Sequence, residues 1–180
     1  MRDAARGGRV ISPKPRTPRQ AARTVVRDPL GAVFLLRYDN EEVGPHWALP
    51  GGGLDPGESP REGARRELRE ETGWGDLEPG PLLCTWTHDF TRAAVPVRQH
   101  EHVYLADAPG SRRELGPDVA ADHLADGILG WRWWTPEELR RTDEEIWPPR
   151  LYDLLDGWSP GDRPADLGYV PVRGGSDIVG

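Results

Sequence analysis

The sequence predicts one mixed α/β domain with looser ends. Short β-branched and apolar runs recur on either side of a single strongly capped helix. Hydrophobic residues at 36%, eight tryptophans among them, suffice for one core in 180 residues, while 22 glycines and 19 prolines gather in connections and at the ends. No apolar run is longer than the half-dozen residues of Gly31–Leu36, far short of the roughly 20 that a membrane helix needs. The single cysteine, Cys84, has no partner for an intrachain disulfide, and the start of the chain has no secretory apolar core. Both point to a cytoplasmic protein without membrane partners.

Residues 1–22 read as a flexible basic arm, because Gly7-Gly8, Pro13, Pro15 and Pro18 interrupt any period. The domain proper is expected over residues 23–156. Thr24–Arg27 and Ala32–Tyr38 flank Asp28-Pro29-Leu30-Gly31 and predict an antiparallel hairpin. Trp47-Ala48-Leu49 is a short strand stopped by Pro50 and Gly51-Gly52-Gly53. Ser59-Pro60-Arg61-Glu62 then opens a helix with a capping residue, a proline at the first position and a glutamate three residues after the cap; Gly73 closes it. Leu82–Thr87, Val95–Ala106 and Trp131–Trp134 are further strands, with helices beginning near Thr135-Pro136 and over Pro149–Leu155. Residues 157–180 read as an irregular tail.

Charge divides the chain unevenly. Residues 1–27 carry eight basic groups and one acid, a local +7, so that against −7 overall the remaining chain carries −14. An acidic body repels polyphosphates, so a phosphate substrate here requires cations. Nucleic acid is accordingly not expected as a partner, and the basic arm is the one feature favouring RNA.

On the predicted helix Glu67, Glu70 and Glu71 fall at i, i+3 and i+4, within one sector. Crowded carboxylates repel unless a cation sits among them, and hard divalent cations prefer oxygen donors. Gly63, one turn earlier, leaves room above the acids; Ala64 and Leu68 turn to the core, Arg65 and Arg69 to solvent. Glutamate and arginine at helical spacing also suit a solvated, ion-paired face, as with Arg66 and Glu70. The loop Gly51–Glu58 argues for more, since it brings close-approach backbone and another acid to the helix start.

These residues resemble a known family. Gly52, Glu58 and Arg66-Glu67-Leu68-Arg69-Glu70-Glu71-Thr72-Gly73-Trp74 match the Nudix box, G-x5-E-x7-R-E-U-x-E-E-x-G-U, with Trp74 where an aliphatic residue is usual. The flanking Trp47–Gly52 and Arg132–Leu139 also look like the family. The resemblance implies an α/β/α sandwich on a mixed β-sheet, with the box as loop-helix-loop. It also implies hydrolysis of a small-molecule nucleoside diphosphate derivative, such as a nucleoside triphosphate, nucleotide sugar, ADP-ribose or dinucleoside polyphosphate. Carried over, Glu67, Glu70 and Glu71 would hold Mg²⁺ or Mn²⁺, with Glu67 also as general base. Arg66 would orient the glutamates, and Gly52 and Glu58 would support the site. The alternative is a catalytically silent nucleotide-binding regulatory domain. Homodimers are common in the resembling family, and the Trp-rich C-terminal half offers an apolar surface for one.

Outside the box, Glu101 on its strand and Asp122 in the connection before Trp131 are candidate additional acids. Asp118 and Asp126 share that connection. His100 and His102 alternate with Glu101 and face away from it.

Overall fold

A computed structural model describes residues 15–110, 112–119, 123 and 126–171. Among them nine strands join in one mixed sheet: β1 (Thr17–Arg27), β2 (Val33–Asn40), β3 (Gly44–Ala48), β4 (Gly51–Gly53), β5 (Leu82–Arg92), β6 (Val95–Asp107), β7 (Ile128–Trp134), β8 (Ile146–Trp147) and β9 (Ala165–Tyr169). The helices are α1 (Pro60–Thr72), α2 (Pro136–Arg141) and α3 (Leu151–Leu155).

The order across the sheet is β8-β3-β2-β1-β6-β5-β9, with β4 added to β1 and β7 to β2. The predicted hairpin forms as β1 and β2, Arg27 opposite Val33. The central pairing is parallel: β1 runs beside β6 from Thr17 opposite Val97 to Arg27 opposite Asp107. That register sets Ala22 and Arg23 beside His102 and Val103, and it carries β6 and its antiparallel partner β5 to the back of the site.

Alternation along β1 and β2 splits the core in two. Val26, Phe34, Leu36 and Ile128 pack on one face with Leu68 of α1 and with Trp74 and Trp133. Val25, Leu35, Trp47, Leu49, Trp86, Leu105 and Trp134 fill the other, under Leu139 and Leu151 of α2 and α3. Helices therefore cover both faces, and Trp133 and Trp134 point to opposite layers as adjacent strand residues must. Trp74 lies 4.7 Å edge-on to Phe34 and donates from Nε1 to Glu114 O, so the unusual box residue is a core side chain.

Two segments differ from the sequence expectation. Strand β1 starts at Thr17, inside the segment expected to be an arm; its first residues are polar and exposed, and parallel pairing with β6 orders them in place of an apolar face. Strand β9 lies in the expected irregular tail, where it pairs with β5 and the Tyr169 hydroxyl donates to Asp89. The first residues of β1 lack the apolar alternation by which strands are read; β9 does alternate, with Ala165 and Leu167 packed against the core beside exposed Asp166 and Gly168, but only over five residues among glycines and prolines. No helix among the described residues is long and apolar enough to cross a membrane.

Candidate active site

The local chemistry of the box begins at the helix start. The Ser59 hydroxyl accepts from Glu62 N while the Glu62 carboxylate accepts from Ser59 N, and Gly73 ends α1 at φ +76°. These caps fix the phase of the helix, which buries Ala64 and Leu68 and leaves Arg65 and Arg69 exposed. Glu67, Glu70 and Glu71 then all line one cleft of about 320 Å³.

Arg66 gathers the acids. Its Nε and Nη2 donate to the two oxygens of Glu58 at 2.9 Å each, Nη1 to Glu67 at 2.9 Å and Glu70 at 3.1 Å, and Nη2 also to Gly53 O at 3.0 Å. The arginine holds Glu58 below the usual carboxylate range. Glu71 is turned the other way: its carboxylate accepts from Gly51 N at 2.7 Å and from the Tyr38 hydroxyl at 3.1 Å. Burial pushes Glu71 up to about 8 against the pull of Arg23, and burial likewise raises Glu67.

The glycines of β4 are spacers with distinct reasons. A Cβ on Gly52 would stand 2.6 Å from Glu67 Oε1, so the box glycine admits the carboxylate. Gly51 has φ +145°, and a Cβ there would meet Ala22 O at 2.3 Å. Gly63 does not leave space above Glu67: Leu54 and Glu58 occupy it, since a Cβ would meet Leu54 Cδ2 at 2.4 Å.

The opposite wall is basic and aromatic. Arg19, Arg23 and Arg92 line it with Tyr38, His46, Phe90 and Trp147. Arg19 falls to about 10 through burial and the nearness of Arg92 and Arg23. His46 stacks between Tyr38 and Trp147, with ring centroids 5.6 and 4.0 Å away; Nδ1 donates to Gly44 O, and burial lowers it to about 4, so it is neutral. None of these residues stood out in the sequence, because β1, β2, β3, β5 and β8 bring them together from distant positions.

Glu101 is neither an exposed strand acid nor a wall of the cleft. It is fully buried and accepts from Arg23 Nε at 2.9 Å, Trp86 Nε1 at 2.9 Å, His88 Nε2 at 3.1 Å and Gln99 Nε2 at 2.5 Å. Burial alone would raise it, yet Arg23 and His88 hold it far below the carboxylate range. Asp122 lies outside the described residues. Asp118 is exposed, and Asp126 is exposed at the rim of the cleft.

Among the described residues no three acid, histidine or cysteine side chains converge as a ready cation cage. Glu67 and Glu70 are turned to Arg66 and Glu71 to Gly51. The donor chemistry nonetheless fits a hard divalent ion: three carboxylates border one cleft, and Arg66 is shared among more carboxylates than it can neutralise.

A NUDIX domain model matches residues 17–155, and the chain belongs to the Nudix family. It is a Nudix hydrolase. An RNA pyrophosphohydrolase of Erythrobacter litoralis (strain HTCC2594) is 34% identical over 134 residues, covering 68% of this chain and 79% of that protein. Another, of Caulobacter vibrioides (strain NA1000 / CB15N), is 30% identical over 152 residues, covering 78% and 87%. The MutT protein from Methanosarcina mazei Go1 shares the fold with a TM-score of 0.54 at 20% identity, over 78% of this chain and 92% of that one. A C. elegans Ap4A hydrolase does so at 0.53 and 22%, over 77% and 93%.

Proposed function

We propose that the protein is a metal-dependent pyrophosphohydrolase that cleaves a nucleoside diphosphate linked to another moiety. The observation that carries this reading is one cleft with Glu67, Glu70 and Glu71 on the α1 side and Arg19, Arg23 and Arg92 on the sheet side. A polyphosphate needs both: cations for its oxygens, and carboxylates for the metal and the attacking water.

Glu67, Glu70 and Glu71 would hold Mg²⁺ or Mn²⁺, which neutralises phosphate oxygens and lowers the pKa of its water. The chain's own residues supply the rest. Arg66 shares Nη1 between Glu67 and Glu70 at the edge of solvent, which keeps the two carboxylates together at the cleft and leaves them free to turn toward a cation. Glu67 would take the proton of the attacking water as the water oxygen bonds to phosphorus. The bond from that phosphorus to the bridging oxygen breaks, and the bridging oxygen leaves as part of the second phosphate with the remaining moiety. Arg19 and Arg92 meet the charge on that departing group from the far wall.

Product release from nucleoside triphosphates, nucleotide sugars, ADP-ribose and diadenosine polyphosphates, with Mg²⁺, Mn²⁺ or EDTA, tests the proposal beside a Glu70→Gln/Glu71→Gln variant. Metal-dependent turnover that vanishes in the variant is the expected result. Silence with retained nucleotide binding would favour the regulatory domain instead. The names of the RNA pyrophosphohydrolase relatives favour a second reading, a 5′-triphosphate RNA end as the substrate. RNA that is turned over faster than the free nucleoside triphosphate would select it.

A further inference from the structure

We propose that Glu101 is a positioning residue for the reaction: it clamps Arg23, Arg23 clamps the Leu49–Gly51 backbone, and that backbone aims the Glu71 carboxylate. The inference rests on the functional reading of the box glutamates and deepens it by assigning what holds one of them.

The contacts form a continuous chain. Arg23 donates from Nε to Glu101 at 2.9 Å and from Nη1 to Leu49 O at 2.8 Å and Gly51 O at 2.9 Å. Gly51 N then donates to Glu71 Oε2 at 2.7 Å. Gly51 has no side chain by which to be held, and none would fit, since a Cβ there would lie 2.5 Å from Arg23 Cα. Pairing of β4 with β1, with Gly51 opposite Arg23 and Pro50 O accepting from Thr24 N at 2.9 Å, sets the path of the chain, while Gly51's own N–H and carbonyl are the groups taken by Glu71 and Arg23.

Glu101 is itself over-determined. Trp86 and His88 from β5, Gln99 from its own strand and Arg23 from β1 all donate to it, and Gln99 accepts from Arg19 of the cleft wall. With four donors around it and no exposure, the carboxylate is unavailable to substrate or proton transfer. What it supplies is a fixed anion that aims the fork of Arg23. A buried ion pair is a poor source of stability compared with apolar residues of similar volume. Its merit here is direction: a guanidinium held at one edge has its remaining N–H groups fixed in the plane of the backbone carbonyls they meet.

The test is Glu101→Gln, nearly isosteric but uncharged and bearing an amide donor toward groups that all donate. In a variant that remains folded by circular dichroism, exchange of the Gly51 amide is expected to speed up by about tenfold or more. Turnover of the best substrate should fall about tenfold or more in kcat, with KM within about threefold of wild type. Gly51 exchange and kcat both within about twofold of wild type would overturn the proposal. So would a raised KM at unchanged kcat, which would make the pair a binding element. Should Glu101→Gln fail to fold, Arg23→Lys keeps the charge without the fork and gives the same readouts. The amide measurement needs no substrate, so an inactive wild-type protein would sink the functional reading while the clamp was still judged on Gly51.

Discussion

Two arginines organise the acids of this molecule, and they do so on opposite terms. Arg66 stands at the edge of solvent and binds Glu58, Glu67 and Glu70, all within eight residues of itself. Arg23 is buried and binds Glu101, 78 residues away, through the register of β1 and β6. The first set is cheap to form and free to rearrange when substrate or a cation arrives; the second has lost its solvent and must stay paired. The working carboxylates thus divide between a yielding partner, which holds Glu67 and Glu70, and a rigid frame, which holds Glu71 through Gly51.

Breaking the working side should give the largest effect. Glu67→Gln removes the proposed proton acceptor while keeping its shape, and kcat should drop by about 10²–10⁴ with saturating metal, measured by steady-state kinetics. Retention of most of kcat would move the base elsewhere, with the Asp126 rim as the next place to test.

Breaking the rigid side should show in stability first. Glu101→Ala leaves Arg23 buried without its carboxylate, a loss of about 3–5 kcal/mol for a broken buried pair. In a chain of this size that lowers the melting temperature by roughly 6–20 °C. A change of only a degree or two would mean that water reaches Arg23 and that the two arginines differ less than their burial suggests.

The same contrast explains what could be read from the sequence. Glu58, Arg66, Glu67, Glu70 and Glu71 lie on one loop and one helix, where spacing alone sets which side chains share a face. The capping box at Ser59, the stop at Gly73 and the core side of Ala64 and Leu68 are local for the same reason. Arg23, Arg19, Arg92 and His46 reach the cleft only through strand pairing, and no spacing within a strand reveals its neighbour. Glu101 stood out as an acid, but its burial among Trp86, His88 and Gln99 depends on β5 lying beside β6. The start of β1 at Thr17 was hidden because its first residues have no apolar period, and β9 because Ala165 and Leu167 make too short a period among the surrounding glycines and prolines.

Smaller changes sharpen the comparison near the helix start. Ser59→Ala deletes the hydroxyl that accepts from Glu62 N, and helix caps of this kind are worth about 1 kcal/mol. Urea denaturation should show a shift of that size in the midpoint energy with little change in slope. A loss nearer 3 kcal/mol would mean that the cap also supports the neighbouring Glu58 and Arg66.

The smallest effect is the most discriminating. Ionic strength screens charges in contact with solvent, with a Debye length of about 10 Å at 0.1 M salt and about 3 Å at 1 M, while buried pairs are screened far less. The destabilisation caused by Glu58→Ala, about 1 kcal/mol or less for a pair at the solvent edge, should therefore shrink between 20 mM and about 1 M NaCl. The cost of Glu101→Ala should hardly move over that range. Sodium chloride is chosen because chloride competes weakly for a guanidinium fork, so the difference between the two slopes reports on solvent access. Parallel slopes would place both arginines in the same dielectric surroundings and remove the physical basis for treating one as a frame and the other as a hinge.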